Sequence, residues 1–200
     1  MICLMLACLL LGVYNSTAQN RDIDWLRSIN KYRTTSADHI MVGLTNSVYP
    51  IASTIPIAQL IYGYSQHDSS TVRFAWQNVM GIGLNTVVTF GLKYAVHRHR
   101  PYSSYLDINP YQHDTDPSFP SGHTSFAFET ATALTMQYPR WYIIAPAYAW
   151  ASIVAYSRMY LGMHYPTDVL AGAIIGTGSA LLSYKVNQWL HTHHKKIKSS

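Results

Sequence analysis

The sequence predicts an all-α, membrane-embedded helical bundle of about five spans that follows a cleaved signal peptide. Three observations predict it. Charged residues make up 12% of the 200-residue chain, against about 25% in soluble domains. Five longer segments are almost free of charge, and the first exceeds the roughly 20 residues that a membrane helix needs. The chain also holds 16 tyrosines and 5 tryptophans, which concentrate where membranes meet water.

The N-terminus predicts a signal peptide over residues 1–18. An apolar stretch precedes small residues at Ser16 and Ala18, which suit cleavage after Ala18. Cys3 and Cys8 would leave with this peptide, so we expect no disulfide or thiol chemistry in the mature protein. A retained anchor is the alternative interpretation, because the stretch lacks a basic start.

Residues 19–38 predict an amphipathic N-terminal segment. Ile23, Leu26 and Ile29 recur near helical spacing. Two interpretations stay open at this point: a helix at the membrane surface and an ordinary surface helix of the protein.

The helical bundle itself is predicted over residues 39–190. Its five apolar segments are Ile40–Gln66, Phe74–Leu92, Thr124–Tyr138, Trp141–Ser157 and Val169–Tyr184. Pro50 and Pro56 predict kinks in the first segment, which membrane helices tolerate. The last three segments are short for spans, so buried helices of a soluble bundle are the alternative.

Glycine spacing in the last segment predicts close contact between helices. Gly172, Gly176 and Gly178 lie within it, and small residues let membrane helices approach each other. We therefore expect this helix to pack tightly inside the bundle.

The number of membrane crossings between the polar clusters, called span parity below, predicts that these clusters share one side of the membrane. If the signal peptide is cleaved, the mature N-terminus lies outside. Segments 93–101 and 157–168 then both emerge on the outer side, and the basic C-terminal tail, residues 191–200, lies inside.

The net charge of +5 does not indicate nucleic-acid binding. The body of the chain holds no run of Lys and Arg; the one basic cluster is the tail at 191–200. A basic balance also suits an anionic membrane or an anionic substrate, and these are the partners we expect.

Three polar clusters carry the candidate chemistry. They are residues 93–101, 120–123 and 157–168. Phosphoryl transfer places charge on three equatorial oxygens, so catalysis rests on positioning and on electrostatic stabilisation. Lys93, Arg100 and Arg158 would supply three cations, and each arginine can bind two oxygens at once.

The same clusters hold a candidate nucleophile and a candidate acid. His164 and His123 fit these roles, and Asp168 lies four residues after His164, within reach of its imidazole. Ser121 and Gly122 offer a hydroxyl and backbone N–H groups just before a helix. Taken singly, such residues have ordinary explanations, such as a helix cap or a turn.

The combination resembles the type 2 phosphatidic acid phosphatase family. That family's signature reads Lys-x6-Arg-Pro, then Pro-Ser-Gly-His, then Ser-Arg-x5-His-x3-Asp. All eleven positions match in order and spacing: Lys93, Arg100, Pro101, Pro120, Ser121, Gly122, His123, Ser157, Arg158, His164 and Asp168. The resemblance covers residues 93–168 by motif, and the N-terminal forty residues lie outside it.

The resemblance implies a mechanism. His164 would form a transient phosphohistidine with help from Asp168, and His123 would protonate the leaving alkoxide. No metal or other cofactor would be needed. The residues that it assigns to the phosphate are Lys93, Arg100, Ser121, Gly122 and Arg158.

Size, signal peptide and motif gap look most like bacterial envelope members of that family, including lipid A phosphatases. We therefore expect a multi-pass inner-membrane lipid phosphatase whose site faces the periplasm. Candidate substrates are phosphatidic acid, phosphatidylglycerophosphate, isoprenoid pyrophosphate and lipid A. The sequence determines neither the particular lipid nor the oligomeric state.

Four alternatives remain open. A soluble periplasmic acid phosphatase would use the same site, and a non-catalytic protein could bind phospholipid headgroups with the basic pocket alone. Vanadium-dependent haloperoxidases carry the same motifs. A metal hydrolase could draw on His113, Asp114 and Asp116 beside the motif residues, although no zinc spacing appears.

Overall fold

The computed structural model describes residues 16–198, and the side chains of residues 21–192, as a chain of eight helices. These are α1 (Ser16–Asn30), α2 (Thr35–Asn46), α3 (Val48–Ser65), α4 (Ser69–Val96), α5 (Pro101–Ser104), α6 (Gly122–Gln137), α7 (Trp141–Tyr160) and α8 (Pro166–Lys198). Residues 16–198 contain no strand, so the all-α prediction is confirmed.

Helix α6 lies at the centre of the bundle. Helices α4, α7 and α8 pack around it, and α3 also contacts it. Its residues Ala127 and Ala131 are fully buried and join Phe126 and Val154 in the main apolar core. Small side chains at these positions let the neighbouring backbones approach closely.

The glycines of α8 explain how close that approach is. A Cβ atom at Gly172 would lie 2.6 Å from the carbonyl oxygen of Ser121, and one at Gly176 would collide with the carbonyl of Ser125. The predicted role is confirmed for these two glycines. It is wrong for Gly178, which has open space where its Cβ would stand.

The outer surface of the bundle is apolar. Exposed side chains on three different helices include Ile61, Val87 and Leu170. Three stretches of the described chain are long and apolar enough to cross a membrane, namely Thr35–Ser65, Ser69–Ser104 and Pro166–Thr192. A membrane-embedded helical fold follows, while the count of five spans stays a prediction.

The interior, by contrast, holds a closed ring of amides. Asn78 donates to Gln59 at 2.8 Å, Gln59 donates to Gln137 at 2.8 Å, and Gln137 donates back to Asn78 at 2.7 Å. Each side chain is buried and both donates and accepts within the ring. Polar residues that face one another across membrane helices link the helices in this way.

The first predicted span is interrupted. Helices α2 and α3 meet at Ser47, because Pro50 has no N–H to donate to the carbonyl of Asn46 one turn earlier. Helix α3 runs on through Pro56, so the second proline does not interrupt the helix, and the kink predicted there stays a prediction.

Helix α1 covers residues 19–30 of the predicted amphipathic segment at 19–38, and it ends at Asn30. Its apolar face packs on protein: Ile23 and Leu26 are buried against Ile108 and Tyr165. Residues 1–15 of the predicted signal peptide lie outside the described residues, so its cleavage stays a prediction. The packing nevertheless makes α1 part of the folded domain.

Candidate active site

The structure brings the sequence-predicted residues together at one end of the bundle. Lys93 lies in the last turn of α4, His123 in the first turn of α6, Arg158 in the last turn of α7 and Asp168 in the first turn of α8. The backbone N–H of Ser121 donates to the carbonyl of Asp168 at 3.0 Å and so joins two of these helix ends. Four chain segments therefore meet at one cluster.

Three buried cations line this cluster. Lys93, Arg100 and Arg158 are each almost fully buried. Arg100 donates from Nη1 to the carbonyl of Met163 at 3.1 Å, and the same nitrogen lies 3.5 Å from His164 Nε2. Arg158 donates to the Thr45 hydroxyl at 3.2 Å. Positive charge is thus held beside one face of the histidine.

Two carboxylates of the 105–121 loop occupy the cation cluster. Asp116 lies 2.7 Å from Lys93 Nζ and 2.6 Å from Arg100 Nη2. Asp114 lies 3.2 Å from Arg100 and 4.0 Å from Arg158. In this structure the acids of the loop therefore sit where an anionic substrate would meet the cations.

These contacts control the ionisation of Asp116. Partial burial would raise the pKa of its carboxyl, but the hydrogen bond from Lys93 and the charge of Arg100 outweigh burial and lower the pKa to about 2. Asp116 is therefore ionised at neutral pH.

His164 is buried in the turn between α7 and α8. Burial, with the charges of Arg100 and Arg158, holds the pKa of its imidazole well below the ordinary value. The ring is therefore neutral at pH 7, and one ring nitrogen keeps a lone pair. Nε2 is the nitrogen nearest Arg100, which leaves Nδ1 for the other side of the ring.

Nδ1 of His164 lies near a serine and a carboxylate. It is 3.4 Å from Ser118 Oγ and 3.6 Å from Asp168 Oδ2, and the Ser118 hydroxyl donates to that same carboxylate oxygen. The structure therefore adds Ser118 to the expected pair of His164 and Asp168, because its hydroxyl contacts both side chains. His164 precedes α8 and reaches Asp168 through a tight turn rather than along one helix.

His123 faces an aromatic residue that the sequence did not single out. Its ring lies 4.9 Å, edge to face, from the ring of Tyr49 in α3. The Tyr49 hydroxyl also lies 3.6 Å from where a Cβ of Gly122 would stand. Tyr49 thus borders the start of α6, where the candidate acid lies.

Ser121 and Gly122 differ in part from the expectation. The N–H of Ser121 is taken by the Asp168 carbonyl, and its hydroxyl pairs with the Thr124 hydroxyl at 2.9 Å. The Ser121 amide therefore serves the fold rather than a phosphate. Gly122 is the first residue of α6, where the helix dipole is positive.

Sequence reasoning missed three polar residues of the site. Ser118 lies against His164, and Arg98 joins Asp168 to Asp22 of α1. Arg98 stands inside the first motif at a variable position, and Asp22 precedes it by 76 residues. The charges of Arg98 and Asp22 were visible in the sequence, but no spacing rule connected the two residues.

The metal-hydrolase interpretation finds no support in the part of the chain that the structure describes. Among the side chains of residues 21–192, no group of three or more His, Cys, Asp or Glu could hold a metal ion. Its candidate ligands Asp114 and Asp116 pair instead with Arg100 and Lys93.

The fold and the site together define a helical membrane bundle that holds a buried histidine beside three cations. The chain belongs to the PAP2 superfamily, whose family model matches residues 74–192. Helices α1, α2 and α3 and the first residues of α4 lie ahead of this match.

Relatives in the superfamily are named for different lipid phosphates. The chain is 33% identical over 117 residues to the undecaprenyl-diphosphatase of Sulfolobus acidocaldarius, over 52% of this chain and 55% of that protein. It is 26% identical over 163 residues to the lipid A 1-phosphatase of Porphyromonas gingivalis, over 80% of this chain and 34% of that one. The chain thus spans about half and a third of their respective lengths.

A solved structure shares the fold over nearly the whole chain. The transmembrane PAP2-type phosphatidylglycerolphosphate phosphatase of Bacillus subtilis matches with a TM-score of 0.75 at 23% identity, covering 92% of this chain and 93% of that one. Because 92% of the chain is covered, the likeness extends beyond residues 74–192.

Proposed function

We propose that this protein is a metal-independent lipid phosphatase of the inner membrane that works through a phosphohistidine at His164. One observation carries the proposal. His164 is buried and neutral, its Nε2 lies 3.5 Å from Arg100, and its Nδ1 faces Ser118 and Asp168. A lone pair is thereby held beside the cations that would bind a phosphate.

The first step is attack on phosphorus. Nε2 of His164 forms a P–N bond while the bond from phosphorus to the leaving oxygen breaks. Without a bound anion, burial and the charge of Arg158 lower the pKa of the His123 imidazole to about 2, so His123 takes up a proton when the anionic phosphate binds. It then gives this proton to the leaving oxygen, while Asp168, with Ser118, stabilises the positive charge that develops on the His164 imidazole. Lys93, Arg100 and Arg158 would hold the non-bridging oxygens, which requires the loop carboxylates to move away.

The second step is hydrolysis. His123, now neutral, takes a proton from a water molecule that attacks the phosphorus. The P–N bond breaks, phosphate leaves and the lone pair returns to His164. Proton balance is restored, because His123 regains the proton that it gave to the leaving group.

A membrane lipid is the substrate class that this architecture favours. The cations lie at one end of a bundle with an apolar outer surface, so a headgroup phosphate could reach them while its chains stay in the bilayer. Span parity and the predicted signal peptide favour the periplasmic side. The relatives carry the names of several lipid phosphates, so the particular lipid is a matter for the assay.

The test is phosphate release by the full chain in detergent micelles. The panel contains phosphatidic acid, phosphatidylglycerophosphate, undecaprenyl diphosphate, lipid A and p-nitrophenyl phosphate, each with and without EDTA. We expect release from at least one lipid, no loss with EDTA, and a loss of at least about 1,000-fold in His164→Ala. Full activity in His164→Ala would overturn the mechanism.

A further inference from the structure

Arg98 links two buried carboxylates behind the candidate nucleophile. Its Nη1 lies 2.6 Å from Asp168 Oδ1, and its Nη2 lies 2.7 Å from Asp22 Oδ2. The guanidinium also stacks on Tyr165, with Cζ 3.8 Å from the ring centroid. Two ion pairs and a stacked ring therefore hold Arg98 in one orientation.

The contact with Arg98 determines which way the Asp168 carboxylate points. Arg98 takes Oδ1, so Oδ2 is turned toward Ser118, the backbone N–H of Tyr165 and Nδ1 of His164. The Ser118 hydroxyl and the Tyr165 N–H hold Oδ2 on the side of the histidine, and Arg98 holds Oδ1 on the opposite side. Arg98 thus helps to fix the orientation of the Asp168 carboxylate, which in turn orients the His164 ring.

The other end of this link belongs to α1. Asp22 is buried, and it accepts from the backbone N–H of Thr167 at 3.0 Å as well as from the Thr167 hydroxyl. Thr167 in turn accepts from Arg98 at 2.7 Å. A carboxylate on α1, ahead of residues 74–192 that the family model matches, therefore clamps the first turn of α8.

The charges of this group suit the chemistry. Asp22, Arg98 and Asp168 together carry a net charge of −1. An imidazole that bonds to phosphorus through Nε2 while keeping its proton on Nδ1 becomes positive, and it would then bring the group to neutrality. Because the two carboxylates share one guanidinium, the group keeps one unit of negative charge beside the histidine.

We propose that Asp22 and Arg98 are positioning residues for the His164–Asp168 pair, so that α1 is part of the catalytic assembly. The inference rests on the proposed function, because it concerns the same histidine. Among the side chains that the structure describes, no hydrogen bond or ion pair joins Asp22 or Arg98 to Lys93, Arg100 or Arg158. Loss of Asp22 or Arg98 should therefore lower kcat and leave KM nearly unchanged.

The experiment compares Asp22→Asn, Arg98→Gln and Arg98→Lys with the parent protein on the best substrate of the panel. We expect kcat to fall about 100-fold in Arg98→Gln and about 10-fold in Asp22→Asn, with KM within about threefold, since small misplacement of a nucleophile costs that much. Arg98→Lys should recover part of the loss. Asp24→Asn, at an exposed acid of α1 that pairs with Arg27, is the matched control and should keep full activity.

The double variant Asp22→Asn/Arg98→Gln separates positioning from general damage. If Asp22 acts through Arg98, the Asp22 change should have little further effect once Arg98 is gone. Independent, multiplying effects, or losses that follow the melting temperature instead of kcat, would overturn the inference. If Arg98→Gln does not fold, Asp22→Asn and Arg98→Lys test the positioning role by the same measurements of kcat, KM and melting temperature.

Different results would refute the proposed function and the positioning role of Asp22 and Arg98. If the parent protein releases no phosphate, or if His164→Ala remains fully active, the proposed function fails. If the parent and His164→Ala behave as proposed while Asp22→Asn and Arg98→Gln keep kcat within twofold, the positioning role alone is refuted.

Discussion

At the scale of single residues, the main feature is a histidine that burial and neighbouring cations keep neutral. An ordinary histidine has a pKa of about 6.5 and loses its lone pair as the pH falls through that value. The pKa of His164 is held well below that value, first by burial and then by Arg100 and Arg158. The lone pair should therefore persist into the acid range.

The pH dependence of kcat/KM tests this reasoning. Because kcat/KM reports the free enzyme, the limb caused by protonation of His164 should lie well below pH 6.5. Activity on p-nitrophenyl phosphate, corrected for the second ionisation of the substrate near about pH 6, should be kept at pH 5.5. A corrected limb at about pH 6.5 would contradict a desolvated imidazole.

At the scale of elements, the 105–121 loop places its own acids on the cations that we propose bind phosphate. Asp116 bridges Lys93 and Arg100 at 2.7 and 2.6 Å, so a phosphate must displace it. Its side chain is 39% exposed, and ion pairs that reach solvent contribute only about 0.2–1 kcal/mol. The competition is therefore modest and reversible.

Asp116→Asn should strengthen phosphate binding. Removing the negative charge frees Lys93 and Arg100, and the inhibition constant of inorganic phosphate should fall about two- to fivefold. Asp107→Asn is the control, because Asp107 lies in the same loop but pairs with exposed Arg27. Weaker phosphate binding in Asp116→Asn would mean that Asp116 orients the cations instead of competing for them.

A second element, the interface of α6 and α8, sets the position of the candidate acid. A Cβ at Gly172 would lie 2.6 Å from the carbonyl oxygen of Ser121, which directly precedes α6. The backbone there has to move, and His123 would move with it.

Gly172→Ala should therefore reduce both stability and activity. Overpacking of this kind costs about 1–3 kcal/mol, and we expect kcat to fall at least about tenfold. Gly178→Ala, on the same helix but with open space at its Cβ, should keep activity and gain up to about 1 kcal/mol from helix propensity. Thermal unfolding measures the stability of the two variants, and phosphate release measures their activity. Equal stability and activity in Gly172→Ala and Gly178→Ala would contradict a role of close packing at Gly172.

At the scale of the whole molecule, the sequence predicts those features whose residues repeat at a fixed spacing. The motifs predicted which residues meet, since each is fixed to the end of a helix. Helical phase also separates Gly178 from Gly176, because two residues turn a helix by about 200°. The pairing of Asp22 with Arg98 and Thr167 was not predictable, since it spans up to 145 residues and leaves no local pattern.

A property of the whole molecule, the medium that surrounds its apolar outer surface, distinguishes a membrane protein from a soluble bundle. Val87 lies on α4 within a candidate span and is 71% exposed. In water, an exposed substitution changes stability by less than about 0.5 kcal/mol, whereas an aspartate near the centre of a membrane helix costs about 2.5–3.5 kcal/mol. Val87→Asp should therefore destabilise this protein strongly and lower its yield in membranes.

A matched substitution makes that measurement specific. Leu106→Asp places the same charge at a fully exposed position in the loop beside the site, outside the candidate spans. It should leave both the membrane-bound yield and the unfolding free energy in micelles nearly unchanged. If Val87→Asp were as well tolerated as Leu106→Asp, the apolar outer surface of the bundle would face water. A soluble periplasmic phosphatase with the same site would then explain the chain better. Strong loss at Val87 alone requires that the surface of α4 face lipid, because the two variants differ in where the charge is placed rather than in the charge itself.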